Sequence, residues 1–161
     1  MSVPSFDQLL ARLAEADIRF VVIGGLALGS WGVIRGTKDC DIVPDPVPEN
    51  LDKLARLVVE LGGHVQSGES LLGSERSIVA TLRGGERALI VTRLGDLDVV
   101  QGLDGVLPYV ELRASAIDVE LAGVTVPVCA LEHLRTMKRA AGRPRDLVDL
   151  DDLDAAQPPP D

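Results

Sequence analysis

Aromatic side chains are nearly missing. The 161 residues include one Trp, one Tyr and two Phe, so the core must be aliphatic, built from Leu, Val, Ile and Ala. Cysteine is also scarce: Cys40 and Cys129 are far apart in sequence, which excludes a disulfide-stapled scaffold and suits two free thiols in a reducing cytoplasm. Positive charge is short. Sixteen Lys and Arg stand against 25 Asp and Glu, a formal net charge of −9, which argues against a broad nucleic-acid footprint. No apolar run approaches the roughly 18 residues that a membrane span needs, so no membrane association is expected. The first ten residues, MSVPSFDQLL, lack the basic-then-apolar layout of a signal peptide. What remains is 46% hydrophobic and 25% charged, the balance of a globular domain long enough to bury a core.

Hydrophobic spacing predicts a helix over Phe6 to Ala16 with Ser5 as its N-cap, then a buried strand over Ile18 to Ile23. A short helix follows over Gly25 to Val33, and a second strand, Cys40 to Val43, is stopped by Pro44, Pro46 and Pro48. Leu51 to Leu61 reads as a helix ended by Gly62-Gly63. Ser67 to Gly73 is polar and reads as a mobile loop. Short strands are expected over Ser77 to Leu82, Ala88 to Thr92 and Leu97 to Val100, with a hairpin from Ile117–Leu121 and Val124–Val128 turning at Ala122-Gly123. Helices over Leu131 to Ala141 and from Pro144 to about Ala155 close the domain. Interleaved elements of this kind give an α/β fold: a mixed β-sheet flanked by helices, with C-terminal helices. Residues 1–156 form the domain, and the proline-rich residues 157–161 are expected to be disordered.

Four Asp-x-Asp pairs occur, where about two are expected by chance, so position must separate them. Asp149/Asp151 and Asp152/Asp154 fall in a helix, where i and i+2 do not share a face, and read as a solvated acidic surface. Asp39/Asp41 and Asp96/Asp98 fall in strands, where i and i+2 point the same way, roughly 6.6 Å apart. Like charges that close cost free energy unless a cation neutralises them, and magnesium favours carboxylate oxygens. Asp98 sits among Leu97, Val99 and Val100, an apolar setting for an acid. Asp96 is its rival as third carboxylate, although Gly95-Asp96 reads as a turn. Three carboxylates from two adjacent strands can hold two Mg²⁺ ions roughly 3.5–4 Å apart. Ahead of them, Gly24-Gly25 opens a helix, where the bare backbone and positive helix end suit a phosphate.

The remaining candidates are weaker. Arg35 and Thr37 lie in the approach to the acidic strand and suit either a phosphate contact or a plain loop. Lys138 shares a helical stripe with Leu131 and Leu134, so it either reaches a donor triphosphate or snorkels from the core. Asp146 caps its helix, receives Arg143, or orients Lys138. Cys40 faces the core and is no nucleophile. His64 and His133 lack partners at zinc-ligand spacing, and His133 reads as a helix-surface residue. Trp31 and Tyr109 suit base stacking or plain core packing.

With Gly24-Gly25, Arg35, Thr37, Asp39, Asp41 and Asp98 in this order, the chain resembles the nucleotidyltransferase superfamily that includes polymerase beta. More narrowly, with Lys138 and Arg143-Pro144-Arg145-Asp146 following, it is similar to small bacterial abortive-infection-type nucleotidyltransferase toxins. Arg145 stands where lysine is common, and residues 67–76 match nothing in the pattern. The resemblance implies a cytoplasmic, Mg²⁺-dependent enzyme that moves a nucleoside monophosphate from an NTP to an acceptor hydroxyl on RNA, a small molecule or a protein. It also implies a toxin whose partner is an antitoxin protein. Asp39 and Asp41 would bind both ions, Asp98 would serve one ion and activate the hydroxyl, and Gly24 and Gly25 would hold the triphosphate. The alternative is a non-catalytic regulator of the same fold that binds a nucleotide or a partner.

Overall fold

A computed structural model describes residues 5–121, 123–158 and 160. Helix α1 (Phe6–Glu15) buries Leu9, Leu10 and Leu13, the spacing of one helical face. Ser5 does not cap it through its side chain; the Ser5 N–H instead donates to the Leu94 carbonyl at 2.7 Å. Strand β1 (Phe20–Ile23) is buried at every residue, as a continuous apolar run demands at the centre of a sheet. It feeds α2 (Gly24–Ser30), β2 (Asp39–Pro44) and α3 (Pro48–Glu60). Asn50, at the start of α3, is buried because it is fully used: its amide donates to the Arg19 and Asp45 carbonyls and accepts from the Arg19 N–H.

Next come β3 (His64–Ser67), β4 (Ser70–Leu72), α4 (Glu75–Arg83), β5 (Ala88–Thr92) and β6 (Gly95–Val99). The chain then runs through α5 (Tyr109–Ser115), β7 (Ile117–Leu121), β8 (Val124–Val128), α6 (Leu131–Ala141) and α7 (Pro144–Ala156). One eight-stranded sheet results, in the order β4-β3-β5-β6-β2-β1-β8-β7. It is mixed as expected: β1 pairs β2 antiparallel, while β2 pairs β6 and β1 pairs β8 in parallel.

Three expectations fail, each for a local reason. Ser77 to Leu82 is not a strand but lies inside α4. Ser74 caps that helix, its Oγ accepting from the Ser77 N–H at 3.2 Å, and Ile78 and Leu82 fall four apart on the buried side. Its β-branched residues favour a strand only when the cap is overlooked. Ser67 to Gly73 is not a plain loop either: β3 and β4 pair across a two-residue turn with Ser67 opposite Ser70 and Gly68 at φ +58°. Gln157 does not belong to a free tail. Its amide donates to the Trp31 carbonyl at 3.2 Å, and Arg135 donates to its carbonyl at 3.0 Å. Ala122 of the expected turn lies outside the described residues, as do Pro159 and Asp161 of the tail.

Candidate active site

Strand register builds the acidic cluster. Because β2 and β6 run parallel, Asp39 lies beside Asp96 and Asp41 beside Asp98. Cys40, between Asp39 and Asp41, is wholly buried on the opposite face, which fixes both carboxylates on the open one. Asp39, Asp41 and Asp98 bring carboxylate oxygens within 4.8 Å of one another. Asp98, not Asp96, completes the set. Asp96 lies within β6, where a turn was expected. Burial, then the charges of Asp98 and Asp39, push the Asp41 carboxyl up to about 7. Asp39 is raised as well, by burial and then by Asp98 and Asp96. Three carboxylates so placed suit a hard, oxygen-seeking dication.

The glycine turn touches this cluster directly. β1 ends with Ile23 opposite Asp41, so the chain turns immediately beside that carboxylate. Gly24 turns at φ +67°, and a Cβ on it would stand 2.0 Å from Asp41 Oδ2. Only glycine serves both demands. The Gly25 backbone amide favours the charged form of Asp41, and a Cβ on Gly25 would meet Thr37 Oγ1 at 2.6 Å. Thr37 donates to the Asp39 carbonyl at 2.9 Å. It braces the loop behind Gly25 and does not line the cavity.

That cavity holds about 330 Å³. Gly24, Gly25, Asp41 and Asp98 form its floor, Leu103, Val106 and Met137 contribute an apolar wall, and Arg35, Lys138, Arg143 and Arg145 a basic one. Neither Trp31 nor Tyr109 lines it. The Trp31 indole instead donates to the Cys129 carbonyl at 3.0 Å. His133 is half-buried on α6 rather than on the surface, and Cys40 is a buried thiol whose ionisation burial suppresses.

The basic wall is held by a buried ion network. Lys138 Nζ donates to Asp149 at 2.8 Å and to Asp146 at 3.3 Å. Arg35 reaches Asp149 at 3.0 Å, which ties the loop before β2 to α7. Asp146 also accepts the Arg143 backbone N–H at 3.1 Å and its Nε at 2.7 Å, so it caps α7, receives Arg143 and orients Lys138 together. Burial opposes ionisation of Asp146, but the bonds from Arg143 and Lys138 outweigh it and hold the carboxyl at about 2. Asp149, read from sequence as a surface acid, is 1% exposed; Asp151, Asp152 and Asp154 are indeed exposed.

Arg87 was not anticipated. It stands just before β5 and grips both oxygens of Asp98, with Nε 2.9 and 3.1 Å away. The signal was present in the hairpin: the short turn pairing Thr92 with Gly95 sets Leu89 opposite Asp98, and Arg87 follows on the same face as its diagonal neighbour.

No family model matches the chain, and no curated protein does. Solved structures do. A Thermotoga maritima protein provisionally named a nucleotidyltransferase aligns at TM-score 0.58 and 18% identity, over 94% of this chain and 93% of its own. The antibiotic-resistance factor ANT(2″)-Ia, seen with adenylyl-2″-tobramycin, aligns at 0.61 and 17%, over 94% and 86%. The lincosamide antibiotic adenylyltransferase LnuA, bound to lincomycin, aligns at 0.61 and 13%, over 98% and 100%. The protein therefore has the nucleotidyltransferase fold.

Proposed function

We propose that the protein is a magnesium-dependent nucleotidyltransferase that moves a nucleoside monophosphate from an NTP to an acceptor hydroxyl and releases pyrophosphate. The observation that carries this is the close approach of Gly24 to Asp41, which sets the glycine turn directly against a three-carboxylate cluster. Asp39, Asp41 and Asp98 would hold two ions, which neutralise the cluster and polarise the donor phosphate when bound. Gly24 and Gly25 begin the helix that faces the cavity, and its N-terminal amides would receive the triphosphate. Asp98, farther along the row from the glycine turn, accepts the proton of the attacking hydroxyl. Arg145 lines the cavity with no ion-pair partner among the described residues and is the readiest cation for the triphosphate; Lys138 and Arg35 face it already paired.

A small-molecule acceptor fits better than RNA. The cavity has the size of a small-ligand site. The basic side chains of the last two helices, which an RNA backbone would need, are largely spent internally: Arg135 on Asp154, Lys138 on Asp146 and Asp149, and Arg143 on Asp146. That removes much of the support for an RNA-modifying toxin and its antitoxin partner. Of the similar structures, one is named a lincosamide antibiotic adenylyltransferase and another is an antibiotic-resistance factor bound to adenylyl-2″-tobramycin, which supports a hydroxylated small molecule here.

The test is pyrophosphate release with each NTP, Mg²⁺ and either a panel of hydroxylated small molecules or total RNA. Asp41→Ala should abolish release while the fold persists. Full activity in that variant would disprove the two-ion assignment. Nucleotide binding without release on any acceptor would favour the non-catalytic regulator.

A further inference from the structure

Arg87 holds the position that a cation needs. Its guanidinium takes both oxygens of Asp98, and Asp98 is 3% exposed while the Arg87 side chain is half-exposed. Strand order places the glycine turn, Asp41, Asp98 and Arg87 in a row across β1, β2, β6 and the start of β5. Arg87 therefore approaches the cluster from the side opposite Gly24. We propose that Arg87 is a positioning residue: it fixes Asp98 within the cluster while no metal is bound, and an incoming divalent cation displaces it. The inference rests on the metal-dependent reading above.

The physical case is one of shared lone pairs. The guanidinium grip takes three of the roughly four lone-pair positions on the two Asp98 oxygens, so a dication binding there competes with Arg87 for the same carboxylate. Without that guanidinium, three carboxylates with oxygens within 4.8 Å of one another would lose their ion-pair partner. The exit is open, because the Arg87 side chain borders solvent beside the exposed Glu86 and can leave without uncovering the core. Arg87 thus keeps Asp98 aimed into the cavity and makes cation binding an exchange of one positive partner for another.

The test is Mn²⁺ titration of the nucleotide-free protein, followed by the electron paramagnetic resonance of free Mn²⁺. Wild type is compared with Arg87→Gln, Arg145→Gln and Asp41→Asn. Arg87→Gln should tighten Mn²⁺ by about tenfold, the size of a charged hydrogen bond no longer competing. Arg145→Gln, which alters the same cavity's charge without freeing a carboxylate, should change it far less. Thermal melts give a second readout: Arg87→Gln should melt below wild type in EDTA and match it in saturating Mg²⁺. Unchanged or weaker Mn²⁺ binding in Arg87→Gln, equal tightening in both arginine variants, or a melting gap that survives Mg²⁺ would each overturn the proposal. If Asp41→Asn loses Mn²⁺ while Arg87→Gln leaves it unchanged, the metal site stands and only the exchange fails. If wild type binds no Mn²⁺, both fail together.

Discussion

The Lys138 ammonium rests 2.8 Å from Asp149 Oδ2, and the two side chains are only 8% and 2% exposed. A lysine on an inward stripe needs a partner there, and α7 supplies two. Lys138→Met should lower the unfolding free energy by about 3 kcal/mol, because it leaves two buried carboxylates each short of one partner. Arg35 and Arg143 remain on those carboxylates and keep the loss from growing larger. Urea denaturation checks this; a loss under about 1 kcal/mol would mean that the network contributes little to folding.

Arg145 should show the reverse pattern. It is exposed and lines the cavity, with no ion-pair partner among the described residues. Arg145→Gln should weaken Mg²⁺–NTP binding about tenfold, the loss of one charge-assisted contact to phosphate. Stability should change by less than about 0.5 kcal/mol, as for other exposed substitutions. Calorimetric titration and urea melts separate the two effects. Equal nucleotide affinity in the variant would shift the triphosphate contact to Arg35 or Lys138.

Acid should unfold the protein through its C-terminal helices. The Asp146 carboxyl falls from 3.8 to about 2 in the fold. A depressed pKa contributes stability that is complete above the unfolded value and is lost as pH drops through the folded one. The window therefore runs from about pH 4 down to about 2, and the contribution is about 2 kcal/mol. Asp149 is lowered too, burial being outweighed by bonds from Lys138 and Arg35, and adds in the same direction. Urea melts from pH 5 to pH 2 should show this slope, and Asp146→Asn should flatten it. An unchanged slope in that variant would place the acid sensitivity elsewhere.

The glycine turn beside the acidic cluster was legible in the sequence because its parts are local. An apolar strand, two glycines and Asp-x-Asp lie within 24 residues, and strand alternation fixes which side each acid faces. Asp98 was legible for a related reason, since a carboxylate among Leu97, Val99 and Val100 has few bland explanations. Arg87 and Asp149 were not, because their meaning depends on pairing: a hairpin register for one, and two cations from distant elements for the other. The helix α4 was missed where a serine cap outweighed β-branched composition. Residues read alone reveal faces, but neutralisation of a charge is a relation between elements.

Gly24 offers the sharpest separation of site from scaffold. Its φ of +67° costs any other residue about 1 kcal/mol, and a new Cβ would lie 2.0 Å from Asp41 Oδ2. The obstructed atom is the end of a short side chain, so the fold can yield by turning the Asp41 carboxylate away. Gly24→Ala should then lose only about 1–3 kcal/mol of stability while losing the Mg²⁺-induced rise in melting temperature. Gly29, farther along the same helix, is exposed, and a Cβ added there would meet nothing within 4 Å. Gly29→Ala should therefore hold or gain about 0.5–1 kcal/mol and keep the Mg²⁺ response. Parallel thermal melts with EDTA and with Mg²⁺ measure both quantities. A Gly24→Ala protein that still responds fully to Mg²⁺ would show that Asp41 can bind the ion from another rotamer, and the glycine would then answer to the backbone turn alone.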